Sequence, residues 1–232
     1  MATGILIACA GSPTESTQAA FPSLTPTMSP SGGAVPTKSS SPAPTTKAEA
    51  TPTPVAEVSD GQPRRAVLSI PAIGLHDLPV VPYVGSTDDA RGTRIQDGGV
   101  AASSHGPTGG TGPGGLGNYQ VAAHRLSSTQ AFLQLPNLEV GERAIVVAGG
   151  VRYVYEIRTT RKTSFRSTQS LAEQRAAVPG RPGVAATRAF VTLSTCATPE
   201  DHARGNFWSD EFGNPEHRID KIGVLVRTDA VD

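Results

Sequence analysis

Apolar residues are sparse before about residue 64; beyond it they gather into short runs separated by Gly and Pro. Residues 65–70 form a β-like run closed by Pro71, and residues 78–84 form a second. Pro79 and Pro82 lack the N–H that a ladder needs, so this second run is expected at an edge or as an irregular strand. A glycine-rich stretch from Gly106 to Gly117 reads as a flexible connector, since it has neither the lysine nor the following helix of a phosphate-binding loop. It leads into the alternating run 118–123, which ends at His124. Ser127 or Ser128 is expected to cap a short helix through Leu135, stopped by Pro136. Runs 144–148 and 151–157 flank Gly149-Gly150, a strong hairpin signal because glycine accepts the positive φ of a type I′ turn. Residues 158–188 are polar, with little β pattern except near Phe165, and runs 189–194 and 219–226 are the last strands. Seven or eight short strands with one or two short helices predict an all-β protein built on a closed or partly closed barrel.

The region before this pattern has a different character. Residues 12–63 are dominated by Ser, Thr, Pro and Ala. They bury too little apolar area to offset chain entropy, so they are expected to form a disordered linker before a domain spanning 64–232. Residues 1–11 are too short for a membrane span and lack the basic start of a signal peptide, so they read as the remnant of a signal or anchor. Within them, Leu6-Ile7-Ala8-Cys9 resembles a bacterial lipobox, with Cys9 the residue that would be lipidated. The expectation is an extracytoplasmic domain tethered to a membrane through its N-terminus. Twenty basic and twenty acidic residues balance to zero net charge, with no basic run to suggest a nucleic-acid partner.

Candidate chemistry follows from residue types at strand ends. The chain has two cysteines, and Cys9 is too remote from Cys196, across a low-complexity tract, for a structural disulfide to be expected. Cys196 closes the run Thr192-Leu193-Ser194-Thr195-Cys196, where a ladder can fix a thiol and the next loop leave it accessible. His124 also closes a strand, and Arg218 opens the last one. A thiol with an ordinary pKa of about 8.5 is mostly protonated at neutral pH, so an imidazole that exchanges its proton is useful. A guanidinium suits a carbonyl oxygen on which negative charge develops. Arg204, in the polar segment between Cys196 and Arg218, competes with Arg218 for that role; the strand following Arg218 favours Arg218. Cys196, His202 and His217 lack the paired spacing of a zinc site.

The segment Thr192 to Cys196 resembles the TLxTC motif of sortases, and Ala123-His124-Arg125 resembles their histidine motif. The order His, Cys, Arg agrees, and Ser69-Ile70-Pro71-Ala72-Ile73-Gly74-Leu75 with Pro79-Val80-Val81 is similar to the first strands of class E sortases of high-GC Gram-positive bacteria. The resemblance covers about residues 64–228 and implies an eight-stranded sortase barrel. It implies Cys196, His124 and Arg218 as catalytic residues, with Thr195 binding substrate or assisting near the thiol. The implied substrates are secreted proteins bearing a C-terminal LPxTG or LAxTG-like signal, cut between Thr and Gly. The acyl group would pass to an amine of a cell-wall precursor or pilin, with no cofactor and no metal, in a monomer. The segment 197–217 is longer than this family's usual loop. L,D-transpeptidases are disfavoured because Ser104-His105-Gly106 is followed by Pro107 and not by cysteine. The non-enzymatic alternative is a cell-wall lipoprotein using the barrel as a peptide-binding module.

Overall fold

A computed structural model describes residues 57–231. Eight strands run in chain order: β1 (Ala66–Ile70), β2 (Leu75–Val84), β3 (Ala101–His105), β4 (Gly117–Ala122), β5 (Arg143–Ala148), β6 (Val151–Ser164), β7 (Ala189–Cys196) and β8 (His217–Ala230). They close into a barrel in the order β1-β2-β3-β4-β7-β8-β6-β5, with β5 returning to β1. Only β2–β3 and β4–β7 are parallel pairs. The first needs a crossover, supplied by α1 (Ala90–Asp97), whose N-terminus is capped by the Asp89 carboxylate accepting from the Arg91 and Gly92 N–H groups.

The mainly-β barrel expected from the pattern is present, with particular differences. β2 is an interior strand and not an edge, and its prolines fit for a local reason. Pro79 is paired to β1 at a position before the β3 ladder starts at Val80; Pro82 is paired to β3 after the β1 ladder has ended. Each therefore has a neighbouring strand on one side only, so the missing N–H costs no ladder bond on a second side. The helix expected over 127–135 does not form: Ser128 and Gln130 take φ of 53° and 55°, outside any right-handed helix, and only a 3-10 turn at Leu135–Asn137 follows. Three short α-helices lie elsewhere, α1 together with α2 (Thr168–Arg175) and α3 (Thr198–His202). The β5–β6 hairpin turns at Gly149 and Gly150, with φ of 58° and 75° as that turn requires. β6 continues to Ser164, well past the apolar run, because β8 supplies a full ladder of partners to its polar second half.

Residues 57–63, read as the end of the linker, lie against the glycine-rich stretch. Ser59 N–H donates to the Gly114 carbonyl at 2.9 Å, and Gly112 N–H donates to the Gly61 carbonyl at 2.8 Å. Cys9 and the linker before residue 57 lie outside the described residues. The barrel interior is apolar: Leu68, Val80, Val121, Phe132, Tyr155 and Leu193 belong to one buried cluster. Each such side chain contributes about 1.5–3 kcal/mol by leaving water. On β7 the alternation of side chains sends Val191 and Leu193 into that cluster and leaves Ser194 and Cys196 on the other face.

Candidate active site

Cys196 and Arg218 are cross-strand partners on β7 and β8. The ladder therefore brings thiol and guanidinium together although a long loop separates them in sequence. Arg218 Nη1 donates to Cys196 Sγ at 3.2 Å, and Arg218 Nε donates to Asp88 Oδ2 at 2.7 Å. Arg218 is only 1% exposed, so its charge needs this compensation. The Phe165 ring lies 4.2 Å from the guanidinium carbon, and Asp88 Oδ1 accepts from Gln96 Nε2 on α1 at 2.8 Å. Nη2 is buried and has no partner.

The thiol is partly exposed. It opens into a pocket of about 380 Å³ whose lining includes His124, Asp97, Arg125, Phe212 and Asn214. His124 Nε2 lies 2.9 Å from Asp97 Oδ1 at the C-terminal end of α1, which orients the ring. Burial pushes the Cys196 thiol above its ordinary pKa; Arg218 opposes that and Asp88 adds to it. Burial also works against the Arg218 charge, but Asp88, Cys196 and Asp220 outweigh it and hold the guanidinium above its ordinary value.

The backbone around Cys196 is fixed from two sides. Arg125, just past β4, donates from Nη1 to the Cys196 carbonyl at 3.2 Å and forms a two-pronged pair with Glu200 of α3 at 2.5 and 2.9 Å. Thr195 is 2% exposed, and its hydroxyl donates to the Ala123 carbonyl at 2.8 Å. Alternation along β7 turns Thr195, expected to bind substrate or to assist near the thiol, away from the thiol face, and its hydroxyl ties β7 to the residue before His124.

The sequence candidates sort accordingly. Cys196 and His124 share a pocket and Arg218 touches the thiol. Arg204 does not line that pocket; it lines a separate cavity of about 310 Å³ with Arg161, Lys162, Glu200 and Lys221. His217 binds the Asp201 carboxylate at 2.8 Å, and the His202 ring stacks on Phe207 at 4.7 Å. Among the described residues no three His, Cys, Asp or Glu side chains gather as a metal would require. Sequence reasoning missed Asp88 and Asp97, whose only local signal is the Asp-rich start of a helix and its polar end. It also missed a buried carboxylate on β8: Asp220 accepts from Ser194 Oγ at 2.6 Å, Gln174 Nε2 at 2.9 Å and Thr163 Oγ1 at 2.5 Å. Burial pushes the Asp220 carboxyl above its ordinary pKa.

Fold and site together define a cysteine enzyme on a closed β-barrel, with a thiol, an imidazole in its pocket and an arginine on its sulfur. The family model described as the sortase domain matches residues 68–208, a span that includes His124 and Cys196 and ends before Arg218. The chain belongs to the sortase family, whose members are cysteine transpeptidases. Among solved structures it is similar to the SrtA sortase from Actinomyces oris, at 21% identity over 76% of this chain and 87% of that one, with a TM-score of 0.55. It is also similar to sortase E from Streptomyces avermitilis, at 23% identity over 74% and 93% of the two chains, TM-score 0.52. A third is Sortase E1 from Streptomyces coelicolor with a tripeptide in its active site, at 21% identity over 75% and 94%, TM-score 0.52. No curated protein sequence matches the chain significantly.

Proposed function

We propose that this sortase cuts a C-terminal LPxTG or LAxTG-like sorting signal between Thr and Gly and transfers the acyl group to an amine of a cell-wall precursor or pilin. The observation that carries the reading is the 3.2 Å contact from Arg218 Nη1 to Cys196 Sγ, on a thiol that shares an open pocket with His124. In this reading the Cys196 thiol gives its proton to His124 as its sulfur attacks the threonine carbonyl carbon, and Arg218 steadies the negative charge on the carbonyl oxygen. The C–N bond then breaks, His124 delivers a proton to the departing glycine amine, and a thioester remains on Cys196. The incoming amine attacks that thioester, gives its proton to His124, and releases the thiolate. The tripeptide in the active site of the similar Streptomyces coelicolor enzyme supports a peptide as the substrate class. The lipobox-like start and the Pro/Thr-rich tract support a protein tethered outside the cytoplasm.

Incubation with an LAxTG peptide, followed by intact-mass measurement, tests this. A thioester adduct on the wild type that Cys196→Ala lacks is the expected result. A non-catalytic peptide-binding barrel would bind the peptide and show no adduct. Offering diaminopimelate and lysine amines to the preformed adduct then identifies the acceptor by the mass of the product.

A further inference from the structure

Arg218 is a planar fork whose three nitrogens have three different fates. Nε is held by Asp88, Nη1 lies on the nucleophile's sulfur, and Nη2 is buried without a partner. Because the guanidinium is rigid, fixing Nε fixes the plane and therefore the direction of the other two. We propose that Asp88 is the positioning residue of Arg218: its carboxylate holds the guanidinium so that Nη1 stays on Cys196 and Nη2 stays free for the substrate carbonyl. The proposal rests on the transpeptidase reading above, since it assigns the free donor to that reaction.

The segment that carries Asp88 is built to hold it in place. Asp88 and Arg218 are 130 residues apart and both buried, at 8% and 1% exposure. Asp88 adopts φ of 61°, a conformation that a non-glycine residue keeps only when its surroundings impose it. Those surroundings are specific. On one side Thr87 donates to Gln120 Oε1 at 2.7 Å; on the other Asp89 caps α1 and also accepts from the Ser86 N–H at 3.0 Å. Gln96, two turns along α1, holds the second oxygen of Asp88. The loop before α1 thus delivers one carboxylate, with both oxygens engaged, to Nε, and leaves Nη1 on the thiol sulfur.

Asp88 also sits in the field of the thiol. Cys196 is influenced by Arg218 from β8, Asp88 from the β2–α1 loop, Arg125 after β4 and Asp210 from the segment before β8, and it shares its pocket with His124 and Asp97. Asp88 disfavours the thiolate, so cancelling its charge lowers the thiol pKa.

The test uses the full chain, with rates expressed per Cys196 modified by a thiol reagent and counted by peptide mass so that Cys9 is not included, which keeps loss of folded protein from being counted as loss of turnover. In Asp88→Ala, kcat is expected to fall at least tenfold with KM within threefold of wild type, because an ill-directed donor matters most when charge develops on the carbonyl oxygen. Asp88→Asn keeps an acceptor for Nε and is expected to recover the larger part of kcat. Asp88→Asn, which keeps Arg218 in place and removes the negative charge, is expected to shift the pH profile of iodoacetamide labelling at Cys196 to lower pH. A kcat within twofold of wild type in Asp88→Ala, or a loss that Asp88→Asn does not recover, overturns the proposal. If Asp88→Ala does not fold, Gln96→Leu decides: a several-fold fall in kcat supports the proposal and a wild-type kcat overturns it. If the wild type itself forms no adduct with the peptide, the transpeptidase reading fails, and the labelling profiles alone decide whether Asp88 acts on the thiol.

Discussion

The two faces of β7 are both largely buried, and they are held by opposite means. Val191 and Leu193 face the apolar cluster, where burial is non-directional and scales with area. Thr192, Ser194 and Cys196 face a polar layer, where Thr192 donates to Asn118 Oδ1 at 2.8 Å, Ser194 donates to Asp220, and Arg218 donates to Cys196. Buried polar groups need their partners at the right distance and angle, so this face gains little from area and much from geometry. The contrast explains where the chemistry sits. An apolar face can position a thiol, but only the polar one can keep a buried guanidinium charged beside it.

Substitutions along this strand can break the contrast. The largest expected effect is on turnover: Cys196→Ala should lower acyl transfer at least about 10³-fold while shifting unfolding free energy by less than about 1 kcal/mol, because the nucleophile is lost and the ladder remains. A peptide cleavage assay beside a urea melt checks both halves. On the apolar face, Leu193→Ala should cost about 2–5 kcal/mol in the same melt, from lost burial and the cavity left behind. On the polar face, Ser194→Ala removes one donor from a carboxylate that stays buried, and the expected cost is about 1–3 kcal/mol at neutral pH. A larger loss for Ser194→Ala than for Leu193→Ala would reverse the comparison.

Thr195→Val keeps shape and removes the hydroxyl that binds the Ala123 carbonyl. It should cost about 1 kcal/mol and lower kcat more than it raises KM, since Ala123 precedes His124. The smallest effect is a slope. Asp220 has its folded pKa raised above the unfolded value of about 3.9, so the folded state holds that proton more tightly. Its favourable contribution is therefore fully present below the unfolded pKa and is lost as pH rises through the folded one. Asp220→Asn should flatten that decline in stability, measured by melts from pH 3 to about pH 7. An unchanged slope would assign the pH dependence to other groups.

The strands were legible where packing imposes alternation, as in β4 and the first half of β6, and the Gly149-Gly150 turn was legible because its backbone demands glycine. The second half of β6 was not, since its polar residues are strand only through the β8 ladder. α2 was not legible either: Thr168–Arg175 has no apolar stripe, because it covers the polar layer and sends Gln174 into it. The expected helix at 127–135 failed where Ser128 and Gln130 turn to positive φ, which side-chain type alone does not reveal.

Local pattern by itself determined a barrel of short strands, a thiol and an imidazole at strand ends, and the family motif that joins them. Tertiary structure alone decided that Arg218 and not Arg204 meets the sulfur, that Thr195 faces inward, and that Asp88 binds an arginine 130 residues away. The physical reason is range. Side-chain alternation and turn strain act within a few residues and leave a mark on the sequence. The pairing of one carboxylate with one guanidinium is set by barrel closure and strand register, which any polar loop residue at Asp88 would leave unannounced.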